Sequence, residues 1–181
     1  MSRPTSPAPA KLVIGVFTAE PDLIVPVAER LCSQFGEIDL TSNWFRFDYT
    51  DYYTPEMGTG LWRRMMAFKQ LIAQDDIAGI KHATNSIESA FVAGENRRVN
   101  IDPGYLLRER FVLATGKNFS HRIYIGDGMY ADLTLVYRKG AFRSLPWTYP
   151  DYAARDMLDF LHRVRSKYIR DLKSAEERHH D

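Results

Sequence analysis

Between Phe47 and Gly58 three carboxylates, Asp48, Asp51 and Glu56, share a short stretch with three tyrosines, Tyr49, Tyr52 and Tyr53. So many phenols are costly to leave wholly wet, so some must pack, which brings the acids to a partly dry surface. Carboxylates placed there can act as acid or base. They can also hold a divalent cation, since magnesium takes one or two carboxylates and completes its shell with water and phosphate. The alternative is a packed aromatic loop whose acids cap a helix or pair with arginines.

Three further segments carry chemistry. In Arg97–Tyr105, strand alternation sends Arg98, Asn100 and Asp102 to one face and Val99 and Ile101 to the other. Such a row can grip a phosphate or carboxylate; a salt-bridged outer face is the structural alternative. In Ser120–Tyr124, His121 heads a strand and is suited to proton transfer near neutral pH. With Lys117, Arg122 and Arg98 it would form a basic pocket facing the acidic loop. In Leu145–Tyr152, Pro146 and Pro150 stiffen a stretch whose Trp147 and Tyr149 offer a stacking platform or an aromatic clasp sealing the core. Asp151 is placed to N-cap a final helix. Lys81, Asn85 and Glu88, at helical spacing, read as a solvated polar face.

The elements that must position these groups are mixed. Lys11–Thr18 reads as a central strand, and Leu23, Val27, Leu31 and Phe35 mark the apolar stripe of a following helix. Ile38–Phe47 reads as a strand or bent hairpin arm. Leu61–Ile72 fits either a helix or a strand; the helix that follows at once, from Asp75 to Phe91, favours strand. Arg97–Ile101 is a short strand closed by a turn at Asp102-Pro103-Gly104. Phe111–Thr115, Arg122–Ile125, Met129–Tyr137 and Phe142–Leu145 read as successive antiparallel strands punctuated at Gly116, Gly126 to Gly128 and Lys139-Gly140. Met157, Leu161, Val164, Tyr168 and Leu172 mark a long last helix, Tyr152–Ala175. The expected fold is α+β: a ferredoxin-like βαββαβ plait extended by an antiparallel meander and a long C-terminal helix. Residues 1–10 read as a disordered tail, 11–175 as a single domain and 176–181 as a frayed end.

Composition narrows the classes. A chain of 181 residues suits one domain with a sizeable core, and a net charge of +1 gives no global pull toward nucleic acid or anionic membrane. The lone Cys32 rules out an intramolecular disulfide and a thiolate zinc cluster, and its helical apolar context reads as a buried structural thiol. No apolar run approaches the about 20 residues of a membrane helix, and the proline-rich start does not resemble a signal peptide. A cytoplasmic chain without a membrane partner is expected. The phosphate-binding pattern G-x-x-x-x-G-K-S/T is absent: Thr115-Gly116-Lys117-Asn118 lacks the upstream glycine.

The polar-aromatic stretches together resemble an uncharacterised bacterial family, domain of unknown function 4416. The similar stretches are Phe47 to Tyr53 with Glu56-Met57-Gly58; Lys81, Thr84-Asn85 and Glu88; Val99 to Tyr105; Leu113-Ala114-Thr115 with Lys117; His121 to Tyr124; and Trp147 to Tyr152. They span roughly residues 10–173. The resemblance implies no activity. On the residues themselves, the leading expectation is a pocket for an anionic, phosphate-bearing small molecule or nucleotide. Arg98, Asn100, Asp102, Lys117 and Arg122 would hold it and Trp147 and Tyr149 would stack on it. Asp48, Asp51, Glu56 and His121 would supply acid–base chemistry, with a divalent cation if the carboxylates gather one. The alternative is a non-catalytic module forming a homodimer through the C-terminal helix or docking another protein. RNA binding on an open sheet face would need exposed aromatics on central strands, and Phe17, Phe111 and Tyr124 read as core, which argues against nucleic acid.

Overall fold

The computed structural model describes residues 1 and 3–178. The chain runs β1 (Ala10–Thr18), α1 (Ile24–Phe35), β2 (Ile38–Thr41), β3 (Phe45–Phe47), α2 (Thr54–Met57), β4 (Leu61–Ile72), α3 (Ile77–Ser89), β5 (Val92–Ala93), β6 (Asn96–Arg97), β7 (Val99–Leu106), β8 (Arg110–Thr115), β9 (Arg122–Gly126), β10 (Met129–Arg138), β11 (Ala141–Ser144), α4 (Pro150–Ala153) and α5 (Arg155–Arg178). The paired histidines of the C-terminus, His179 and His180, lie outside the described residues.

Strand β1 is buried along its whole length. Its near-continuous apolar run demands cover on both faces, and so places it in the middle of a sheet. The sheet is antiparallel throughout, in the order β11-β10-β8-β7-β1-β4-β2, with β3 also on β4 and β9 also on β10. Lys11, Gly15 and Phe17 point to the face carrying α4 and α5: Lys11 bonds Asp171 of α5, and Gly15 abuts Tyr152 of α4. The alternate residues Leu12, Ile14 and Val16 are equally buried, on the face covered by α1 and α3.

Residues 61–72 form a strand, as the sequence reading preferred, because β1 and β2 take both of its edges. Four expectations change. Asp102-Pro103-Gly104 is the interior of β7, not a turn. Ile101 turns its N–H and C=O away from β1 to side chains of α3, and by alternation Pro103 turns its nitrogen the same way, so its missing N–H is not needed by the β1 ladder. The last strands are not a simple meander: β10 lies between β8 and β9, since the Gly116–His121 loop is long enough to carry the chain past it. The last helix is broken at Ala154, which is extended, and Asp151 sits inside α4 rather than capping the last helix, because Pro150 starts the helical turn two residues before Tyr152, with Tyr149 at the cap position. Cys32 is only half-buried.

The apolar stripe of α5 is consumed by this chain: Met157, Phe160, Leu161, Val164, Tyr168 and Leu172 are all in the core. Burying each contributes about 1.5–3 kcal/mol, which holds the helix across the sheet. No helix among the described residues is long and apolar enough to cross a membrane.

Candidate functional site

β7 and β8 pair only where Gly104 meets Leu113, Tyr105 meets Val112 and Leu106 meets Phe111. The first half of β7 therefore has no strand on that side. Its main chain is satisfied by α3 instead: Lys81 Nζ donates to the Ile101 carbonyl at 2.8 Å, and the Ile101 N–H donates to Glu88 Oε1 at 2.5 Å. In the wedge between the diverging strands lies a cavity of about 710 Å³. Its floor is Asn100 and Asp102 of β7 with Lys81, Asn85 and Glu88 of α3. Its walls are Leu113 to Lys117, Arg122 and Asp132, the loop residues Tyr49, Thr50, Tyr52 and Tyr53, and Tyr149 to Tyr152.

All four chemistry-bearing segments, and the helical face read as solvated, thus contribute to one cavity. The Lys81 and Glu88 side chains are buried rather than wet, because they substitute for the missing strand beside Ile101. Not every named side chain arrives. Asn100, Asp102, Lys117, Arg122 and Tyr149 line the cavity. Asp48 and Asp51 are exposed and outside its lining. Glu56 instead faces a shallower recess of about 430 Å³ that also takes Glu20, Arg97 and Arg98. Both Glu56 oxygens accept from Arg97, at 3.0 and 2.8 Å, so the ion-paired alternative describes it. Arg98 precedes β7 and bonds Glu20, so the expected row begins at Asn100. Among the described residues no three His, Cys, Asp or Glu side chains gather as a metal-holding group.

His121 and Trp147 sit one layer behind the wall. Their rings stack at 5.0 Å and 12°. His121 Nε2 lies 3.2 Å from Asp132 Oδ2, and Trp147 Nε1 donates to the Leu133 carbonyl at 2.8 Å. Trp147 clasps the sheet rather than lining the cavity, and His121 buttresses Asp132. Asp132 in turn accepts from Arg122 Nε at 2.9 Å, and Arg122 Nη2 donates to the Tyr149 hydroxyl at 2.9 Å.

The most deeply buried of the cavity's cations is Arg63, absent from the sequence-derived candidates. Its side chain is only 4% exposed and is ringed by Phe17, Phe47 and Tyr152, with centroids 5.0, 4.6 and 5.0 Å from the guanidinium carbon. It bonds Asp151 directly and reaches Asp102 at 3.5 Å. Arg97, also missed, donates to Asn100 Oδ1 at 2.8 Å and to Glu88 at 3.4 Å. Lys81 and Asp132 were missed as site residues too. The available signal was Arg63 falling in step with Leu61 and Met65 on one face of a strand: a charge on an apolar face needs a dedicated partner.

Two carboxyls of the cavity are shifted. Burial raises Glu88, offset in part by Lys81, the Ile101 N–H and Arg97. Burial likewise raises Asp151 against the pull of Arg63. Burial pushes the Tyr53 and Tyr152 phenols well up, so both stay neutral. Tyr52 moves down, because Lys117 Nζ donates to its oxygen at 2.8 Å.

The cavity thus presents five cations, Arg63, Lys81, Arg97, Lys117 and Arg122, against four carboxylates, Glu88, Asp102, Asp132 and Asp151, beside aromatic walls. Four of the cations have carboxylate partners within 4 Å. Among the described residues Lys117 has none, only the Tyr52 phenol.

No curated protein and no solved structure matches the chain. One family model does, described as domain of unknown function (DUF4416), over residues 8–168. That match covers the sheet, the cavity and most of α5, and the chain belongs to this family.

Proposed function

We propose that the cavity binds an anionic, phosphate-bearing small molecule. The observation that carries this reading is the geometry of Lys117. Among the described residues it is the lining cation without a carboxylate, and it stands at the mouth beside a second cation–phenol couple. Lys117 donates to Tyr52 and Arg122 to Tyr149, so each phenol oxygen accepts and its own O–H remains free to donate. Arg122 also donates to the Lys117 carbonyl at 3.0 Å, which ties the couples together. Two polarised phenols and an ammonium form a set of donors suited to a tetrahedral oxyanion. A volume of about 710 Å³ suits a ligand of metabolite size.

The scaffold supports this reading as a ferredoxin-like plait. The order β1-α1-β2-β4-α3-β7, with β7-β1-β4-β2 across the sheet, fits that plait, and β8, β10 and β11 extend it. The cavity would then lie where the extension diverges from the plait.

The test is calorimetric titration and thermal unfolding of the full chain with inorganic phosphate and a panel of phosphate monoesters. A ligand at 100 times its Kd should add about 2.7 kcal/mol of stability. Lys117→Ala should weaken binding by about tenfold or more, the worth of one hydrogen bond to a charged group. Binding unaltered in Lys117→Ala, or no binding of any phosphate compound, rejects the proposal. A second reading, a protein-interaction module, has Phe119, Ile123 and Tyr124 in its favour, 63%, 71% and 60% exposed on edge strand β9 and the loop before it. Self-association that rises with concentration in sedimentation and is lost in Ile123→Ser would favour it.

A further inference from the structure

The floor of the cavity differs from its mouth. At the mouth stand free phenol donors and a cation that has no carboxylate partner among the described residues. On β7 the floor instead offers a spare donor and a spare acceptor, side by side. Asn100 is 5% exposed and lines the cavity; its Oδ1 accepts from Arg97, yet among the described residues its Nδ2 has no hydrogen-bond partner. A buried amide left unsatisfied costs about 1–3 kcal/mol, so such a group is an acceptor-seeking site. Two residues on, Asp102 projects from the same face. Its carboxylate has only long contacts, 3.5 Å to Arg63 and 3.9 Å to Lys81, and its side chain is 27% exposed. The short bond of Arg63 goes to Asp151, which leaves Asp102 with acceptor capacity to spare.

A donor and an acceptor spaced by two strand residues, about 6–7 Å along the chain, match groups that can both give and take a hydrogen bond. Hydroxyls do both. A second carboxylate or phosphate would meet Asp102 and be repelled, and a purely apolar body would leave both groups unpaired. Tyr53 and Phe47 supply an apolar wall beside this pair.

We infer that the ligand is a phosphorylated polyhydroxy compound, its phosphate at the Lys117–Arg122 mouth and its hydroxyls read by Asn100 and Asp102. This rests on the phosphate reading of the same cavity. The shared chemistry is a phosphomonoester on a hydroxylated carbon frame, which either a free sugar phosphate or the ribose of a nucleotide can supply.

The experiment is calorimetric titration of the full chain with inorganic phosphate, ribose 5-phosphate, 2-deoxyribose 5-phosphate, glucose 6-phosphate, and adenosine monophosphate with its 2′-deoxy form. At least one hydroxylated monoester should bind about tenfold or more tighter than inorganic phosphate, the worth of one well-placed hydrogen bond. Removing a hydroxyl from the tighter binder should lose most of that margin. Preference for the sugar phosphates or for the nucleotide tells the two sources apart. Asn100→Ala and Asp102→Asn should erase the margin between the hydroxylated esters and inorganic phosphate. Should Asn100→Ala fail to fold by circular dichroism, Asn100→Ser, which retains a small polar group, replaces it. The inference is overturned if phosphate binds and depends on Lys117, yet the hydroxylated esters bind no tighter or their margin survives both floor substitutions. Absence of all phosphate binding instead removes the mouth reading, and this inference with it.

Discussion

Arg63 shows at the scale of one residue how the cavity is held open. A guanidinium this deep must be paired, and Asp151 of α4 supplies the near partner while three rings enclose its faces. Arg63→Met keeps the length and removes the charge, leaving a carboxyl that is 8% exposed without its partner. Breaking such a pair costs about 3–5 kcal/mol, and a urea midpoint should fall accordingly; a loss below about 1 kcal/mol would place the pair among weak surface bridges. The double variant Arg63→Met with Asp151→Leu should recover most of the loss, since a well-packed apolar pair can replace a buried ion pair.

Among the elements, the contact that defines the wedge is the crossing of β7 and β8. A methyl at Gly104 would lie 2.5 Å from the Val112 carbonyl oxygen and 3.0 Å from a Leu113 methyl. The first contact is main chain and cannot swing aside. Gly104→Ala should therefore force the strands apart and cost about 1–3 kcal/mol or more, seen as a drop in Tm. The same shift would move Asp102 and loosen ligand binding more than the stability loss alone explains. The opposite tie is at α5, where Lys11, fully buried, bonds Asp39 and Asp171 at 2.8 Å each. Burial opposes ionisation of Asp171, but hydrogen bonds from Lys11 and Lys167 outweigh it and hold its carboxyl below the usual range. A carboxylate with a depressed folded pKa stabilises above its unfolded pKa of about 3.9 and loses that contribution as pH falls through the folded value. Asp171→Asn should thus be less stable than the native chain at neutral pH, with the gap closing only in acid. A gap constant with pH would mean packing, not charge, ties α5 to β1.

Across the whole molecule the cavity acids pull the pH dependence the other way. Glu88 and Asp151 are raised by burial, so the folded chain keeps protons that the unfolded chain releases. Their ionisation penalty is absent below the ordinary carboxylate range near about 4 and grows as pH rises toward the raised folded values. Stability should therefore decline over that window, and Glu88→Gln should flatten the decline, since glutamine can still accept the Ile101 N–H. Urea midpoints measured from acid to neutral pH in both proteins check this. An unchanged slope in Glu88→Gln would assign the decline to Asp151 alone.

Much of this was legible in the amino-acid sequence, and the division has a physical reason. Periodicity is local, so β1, the stripe of α5 and the turns at Asp127-Gly128 and Lys139-Gly140 could be read residue by residue; Asp127 and Lys139 do adopt positive φ in those turns, at 50° each. Residue type also marked the segments that line the cavity, because clustered charges and phenols are costly anywhere except at a wet or paired surface. Which side chains turn inward depended on long-range pairing that no local pattern encodes. The exposure of Tyr124, expected in the core, follows from β10 inserting between β8 and β9, which leaves β9 at the edge. The burial of Lys81 and Glu88 follows from β8 parting from β7 at Gly104. Glu56 is claimed by Arg97 across 41 residues of chain. By itself the sequence determined most of the element types and the chemistry available; tertiary structure decided which charges cancel, leaving Lys117 and the Asn100–Asp102 pair among the cavity groups with binding capacity unspent.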